Sequence, residues 1–175
     1  MKSYIVIILS FFLFSCSNEP SLQKYFVDNS ESPDFIALDL GSSIINTEKM
    51  TLSKEDKEVL KSFEKMNIIA FKKDSLNEEK YTLESKKVKE ILKSEKYQEL
   101  MRMGSGNNGG AIYFVGEEEH IDEFVLFATG KENGFAVVRI LGNDMNPSQI
   151  MSLVSLMQKA NLNLEQLKPL KSFMN

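Results

Sequence analysis

"GAIYFVGEEEHIDEFVLFATGKENGFAVVRILG", residues 110–142, is the stretch whose reading decides the fold. Three runs rich in aromatic and β-branched residues are separated by Glu117-Glu118-Glu119-His120 and by Lys131-Glu132-Asn133-Gly134. Strands joined by such short polar breaks predict an antiparallel meander, because parallel neighbours need a crossover of about a dozen residues or more. Alternation in "EFVLFA" puts Phe124, Leu126 and Ala128 on one face and Val125, Phe127 and Thr129 on the other. "FAVVRIL" also carries apolar residues on both faces, with Phe135, Val137 and Leu141 opposite Ala136, Val138 and Ile140. A sheet with one wet face would alternate more cleanly. Amphipathic helices can cover the first face. A helix or the C-terminal leucines of "NLNLEQLKPL" are expected over the second, the alternative being a partner or an apolar ligand.

Working outward, "GSGNNGG" at residues 104–110 has the G-x-G-x-x-G spacing of a dinucleotide fingerprint. That fingerprint must follow a strand and open a helix, whose N-terminus holds the phosphates. Here a strand follows it, and no lysine of a P-loop lies within it, so a hairpin tip or a helix cap is expected. The segment before it, "YQELMRM", fits a further strand or a helix running to a Gly104 cap; residues 97–103 stay open between the two.

The flanks are helical. "SKEDKEVLKSFEKM" has Ser53 with Asp56 three residues on, an acidic capping box, followed by Val59, Leu60, Phe63 and Met66 at helical spacing. This predicts a helix over 54–66 and then a short strand, "NIIAFKK", at 67–73. "TLESKKVKEILKSEK" predicts a helix over 84–94. Its lysines 86, 87, 89, 93 and 96 are interleaved with glutamates, with Lys86 and Glu90 an i, i+4 pair, so it reads as a solvated face rather than a nucleic-acid patch. A third helix over 147–160 starts with Asn146 as N-cap, Pro147 at the first helical position and Gln149 completing a capping box. Ile150, Leu153, Val154 and Met157 form its apolar stripe. "FIALDL", residues 35–40, is a strand or an extended lead-in. The fold class that results is α+β: one domain, with an antiparallel sheet packed by amphipathic helices.

The N-terminus carries an address. Lys2 precedes an apolar run from Tyr4 to Phe14 that stops at Ser15-Cys16. The run is shorter than the roughly 20 residues a membrane span needs and has the dimensions of a signal peptide. Leu13-Phe14-Ser15-Cys16 resembles the lipobox of bacterial lipoproteins: Leu13, Ser15 and Cys16 match, and Phe14 is bulkier than the small residue usual there. The resemblance implies that Cys16, the one cysteine of the chain, is lipidated and becomes the first residue after cleavage. Residues 1–15 are then signal peptide, 16–34 lipidated cysteine and tether with one helical turn at Leu22, Tyr25 and Phe26, and 35–175 the domain. "SNEP" follows Cys16 with no aspartate beside it, which for a lipoprotein directs the expectation to the outer membrane.

Charge and composition narrow the function. Apolar residues at 42% and charged residues at 26% make the chain globular rather than disordered. The net charge is −4 and becomes −5 when Lys2 leaves with the signal peptide, which opposes nucleic acid. His120 is the single histidine, so a catalytic pair could only run through it. Glu117, Glu118, Glu119, Asp122 and Glu123 could hold a cation weakly, but they lack the glycine and the Asp/Asn alternation of an EF-hand loop, and a solvated hairpin turn is favoured. No catalytic residue, cofactor or metal ligand is expected.

The whole order also resembles a family. A lipobox precedes "SLQKYF", then "PDFIALDL", a helix–strand unit ending "NIIAF", "YQELMRM" leading into "AIYFVGEEEHIDEFVLF", and "VVRILGNDMNPSQIMSL". This is similar to the family called domain of unknown function 4252, small lipoproteins chiefly of Bacteroidota. The resemblance implies no catalytic residues and, through neighbouring sigma-factor genes, a link to envelope-stress regulation. The expected function is a membrane-anchored, non-catalytic binding or interaction module of the cell envelope, docking an envelope protein or an apolar ligand. The alternative is a structural or self-associating envelope protein.

Overall fold

The three apolar runs of residues 110–142 form strands β5 (Asn108–Glu117), β6 (His120–Gly130) and β7 (Gly134–Met145) in a computed structural model that describes residues 20–48, 50–105, 108–130, 132–159 and 161–162. The other elements are α1 (Leu22–Asn29), β1 (Phe35–Gly41), a 3-10 turn (Ser42–Ile44), β2 (Ile45–Asn46), α2 (Lys54–Ser62), β3 (Phe63–Lys72), α3 (Glu78–Ile91), β4 (Gln98–Ser105), α4 (Pro147–Lys159) and β8 (Asn161–Leu162). Cys16, residues 1–15 expected as a signal peptide, and the leucines of residues 163–175 lie outside the described residues.

The meander is present and is larger than its sequence signal. Strands β4, β5, β6 and β7 pair in succession, and β3 and then β1 extend the sheet beyond β7, giving the order β1-β3-β7-β6-β5-β4 with every pair antiparallel. Residues 97–103 resolve as strand from Gln98 onward. "GSGNNGG" is a hairpin tip: Gly104 faces Gly109 and Ser105 faces Asn108, while Gly106 and Asn107 lie outside the described residues. Gly104 sits at φ +75, and a Cβ there would stand 2.7 Å from the Gly109 Cα. The residue is glycine because the turn demands it.

Each face carries a core. One holds Ile69, Phe71, Val125, Phe127, Phe135 and Val137 beneath α1 and α3; Phe71 and Phe135 stack with ring centroids 5.7 Å apart. The other holds Met66, Ile68, Phe124, Ile140 and Phe114 beneath α2 and α4. Helices therefore cover the second face as well as the first, though α2 and α4 lie only toward one end of it.

Several boundaries differ from the sequence reading. Helix α2 ends at Ser62, not 66, and Phe63 already belongs to a ten-residue β3. Sheet pairing between β1 and β7 outweighs the helical spacing of Phe63 and Met66. Helix α3 begins at Glu78, six residues before the expected start, and its Glu90 pairs with Lys93 (2.8 Å) while Lys86 adds only a longer-range attraction. The largest difference concerns residues 22–29, expected within the tether. They form α1, with Leu22, Tyr25 and Phe26 buried in the first core. Its polar groups are tied down too. Tyr25 donates from its hydroxyl to Glu84 (3.0 Å), and the Leu22 N–H donates to the Tyr97 hydroxyl (3.2 Å). Burial pushes both phenols above their usual value, and Glu84 takes Tyr25 further still.

Candidate functional site

Beside α3, the sheet's first face has a hole. In two adjacent rows across β4, β5 and β6 the residues are Arg102, Ala111 and Phe127, then Gly104, Gly109 and Thr129. Two glycines, an alanine and a threonine leave space that larger side chains would fill. Glycine within strands marks places where another group comes close to the backbone. The result is a cleft of about 250 Å³. Phe127 and Ala111 form its apolar floor, and Lys89 reaches it from α3.

The charges around this cleft are cationic. Arg102 donates from Nε to Glu99 (3.0 Å) and from Nη2 to the Tyr113 hydroxyl (3.1 Å); Glu99 foremost holds its charge even more firmly than usual. Lys89 has no ion-pair partner among the described residues. Thr129 supplies one hydroxyl, which donates to the Gly109 carbonyl (3.4 Å). Among the described residues the lining contains no carboxylate, imidazole or thiol. Chemically it can hold an anion with a short apolar tail. Sequence reasoning missed it because Lys89 reads as one of five solvated lysines and the glycines read as a turn; the usable signal was Gly104, Gly109 and Gly110 lying inside or beside strands.

The residues singled out beforehand are dispersed. His120 lies at the start of β6, where its Nδ1 meets Asp144 of β7 in an exposed pair, and that hydrogen bond, with the aspartate's charge, raises the imidazole above its ordinary value of 6.5. Asp144 holds a positive φ of 59. Of the five carboxylates around His120, Glu117, Glu118, Glu119 and Asp122 are exposed, as a solvated turn requires. Glu123 is not: it is 5% exposed and forms a two-point pair with Arg139, also 5% exposed, at 2.6 Å and 3.0 Å. The Arg139 guanidinium also donates to Gln23 of α1 (2.8 Å) and lies 5.5 Å from the Phe26 ring centre. Among the described residues no group of three or more His, Cys, Asp or Glu could hold a metal ion. Among them, too, no helix is long and apolar enough to cross a membrane.

A second surface lies on the opposite face, at the end that α2 and α4 leave bare. Val138, Leu126, Ile112 and Met101 form one row from β7 to β4; Ala136, Ala128, Gly110 and Met103 form the next. Met101 is 45% and Met103 59% exposed.

A six-stranded antiparallel sheet with two helices on each face and a small cleft on one of them defines an α+β domain. The chain belongs to the family described as Domain of unknown function (DUF4252), which matches residues 25–153. That match takes in α1 from Tyr25, all six strands of the large sheet and half of α4. No curated protein and no solved structure matches the chain.

Proposed function

We propose that the protein is a lipid-anchored envelope module that binds without catalysis, and that the cleft beside α3 takes a small anion bearing a short apolar tail. One observation carries the reading. In a chain of net charge −4, the charged groups lining the cleft are Lys89 and Arg102, both cationic, above a floor of Ala111 and Phe127, and with Arg102 paired to Glu99 it is Lys89 that supplies the uncompensated charge among the described residues. An apolar site with a few convergent polar groups is the usual form of a small-molecule site, and this one lies just below the common range of roughly 300–1,000 Å³, so the ligand is small. The absence of a base beside Thr129 in the lining supports binding rather than turnover. Lipidation at Cys16 would hold this cleft at the membrane surface, with the outer membrane as its address. Hexanoate is a suitable probe and hexanol its uncharged control. Hexanoate should shift the amide resonances of Gly104 and Gly109 saturably, hexanol should not, and Lys89→Glu should weaken the effect by at least about tenfold. Equal binding of acid and alcohol, or indifference to Lys89→Glu, sinks the reading.

The second reading, a self-associating envelope protein, is favoured by the bare apolar rows at β4. A part in envelope-stress regulation rests on family resemblance alone.

A further inference from the structure

Among the described residues strand β4 is the outer edge of the large sheet, with no strand beside its free side, and such an edge is a template for another strand. Its deterrents are a bulge and one charged pair, Glu99 and Arg102, and it has neither lysine nor proline. Leu100, Met101 and Met103 are 36%, 45% and 59% exposed along it. The register shifts between Glu99 and Met101, so Leu100 has no partner on β5. This bulge has a second effect. Glu99 faces Tyr113 and Arg102 faces Ala111, so both charged residues stand on the same face of the sheet although they are three apart.

We infer that β4 pairs antiparallel with β4 of a second copy, across a twofold axis between Leu100 and Met101. In that register Glu99 stands opposite Arg102 of the mate and Arg102 opposite its Glu99, so the pair that each strand makes within itself is exchanged for two pairs across the axis. Leu100 and Met101 meet the mate's Met101 and Leu100 at the axis. A twofold interface must be self-complementary in this way, residue i meeting j and j meeting i. Sliding the register by one residue sets each charge against an apolar or amide side chain, which cross-strand pairing disfavours. The apolar rows of Met101 and Met103 then continue from one copy into the next, so the bare end of the sheet becomes the middle of a twelve-stranded one. Arg102 also lines the cleft, so Glu99→Arg, which leaves every lining residue in place, is the variant that tests the edge apart from it.

The test is the mass of the full chain in mild detergent by sedimentation velocity. The unmodified protein should sediment as a dimer. Glu99→Arg, with four basic groups around the axis, and Arg102→Glu, with four acidic ones, should each sediment as monomers while keeping the parent's circular dichroism. Mixed in equal amounts, the two variants should form a heterodimer, and the double variant Glu99→Arg/Arg102→Glu should be a dimer by itself. A monomeric parent overturns the inference and leaves the edge to a strand of another protein. Dimers that persist in both single variants overturn it as well, and so do folded variants that fail to recombine.

Discussion

At the scale of single residues, the buried Glu123–Arg139 pair is the most consequential contact. Removing one partner strands the other charge in the first core. Arg139→Ala or Glu123→Ala should each cost about 3–5 kcal/mol, whereas Arg139→Met with Glu123→Leu should return to within about 1 kcal/mol of the parent in a denaturant melt. Additive losses in the double variant would mean that the pair is not a closed unit. His120 offers a different test. Its folded-state value lies above 6.5, so its pairing with Asp144 stabilises fully below about pH 6.5 and is lost as pH rises through the raised value. Asp144→Asn should lower the imidazole's midpoint in a proton NMR titration and flatten the decline in stability with rising pH. An unchanged midpoint would show that the pair does not persist in solution.

Among elements, what was legible follows from how local each signal is. Ser53 and Asp56 exchange hydrogen bonds across the first turn of α2 (3.0 Å and 2.9 Å), and the Asn146 N–H donates to Gln149 at α4 (3.1 Å). These caps span three residues and can be read from the letters alone. The strands of the meander were equally plain from their apolar runs. Helix α1 was not. Eight residues rarely hold a helix by themselves, and its stability comes from Glu84, Tyr97 and Arg139, groups far away in sequence. Glu123 was misread for the same reason: a carboxylate two residues past a turn looks solvated until the register sets Arg139 beside it. Gly134 was read as a turn residue, and the structure sharpens that. It sits at φ +112, and a Cβ would lie 2.9 Å from the Lys73 nitrogen and overlap the Phe71 carbonyl. Gly134→Ala should therefore cost about 3 kcal/mol or more, combining strain with a displaced β3–β7 contact. A thermal melt close to the parent's would contradict that geometry.

For the whole molecule, the fold class could be read from the sequence and the cleft could not. The cleft exists only where α3 stands over glycines brought into register on β4 and β5. No spacing in the sequence encodes that meeting. The proposed anchor is the reverse case: its signal is local, in Leu13 to Cys16, and those residues lie outside the described ones. Six steps separate Cys16 from Leu22, so a lipid there would hold α1 within at most about 20 Å of the membrane. Cys16→Ala should move the protein from the membrane to the soluble fraction on cell fractionation. A variant that is processed normally and remains membrane-bound would refute the anchor. The contact between Gln23 and Arg139 bears on something else, the order in which the chain is assembled. Those residues are 116 apart. At a synthesis rate of roughly 5–20 residues per second, α1 waits on the order of ten seconds for its partner to be made. Helix α1 therefore docks in stages: Tyr25 can meet Phe35 and Glu84 while the chain is half made, and Gln23 closes on Arg139 only once the seventh strand exists.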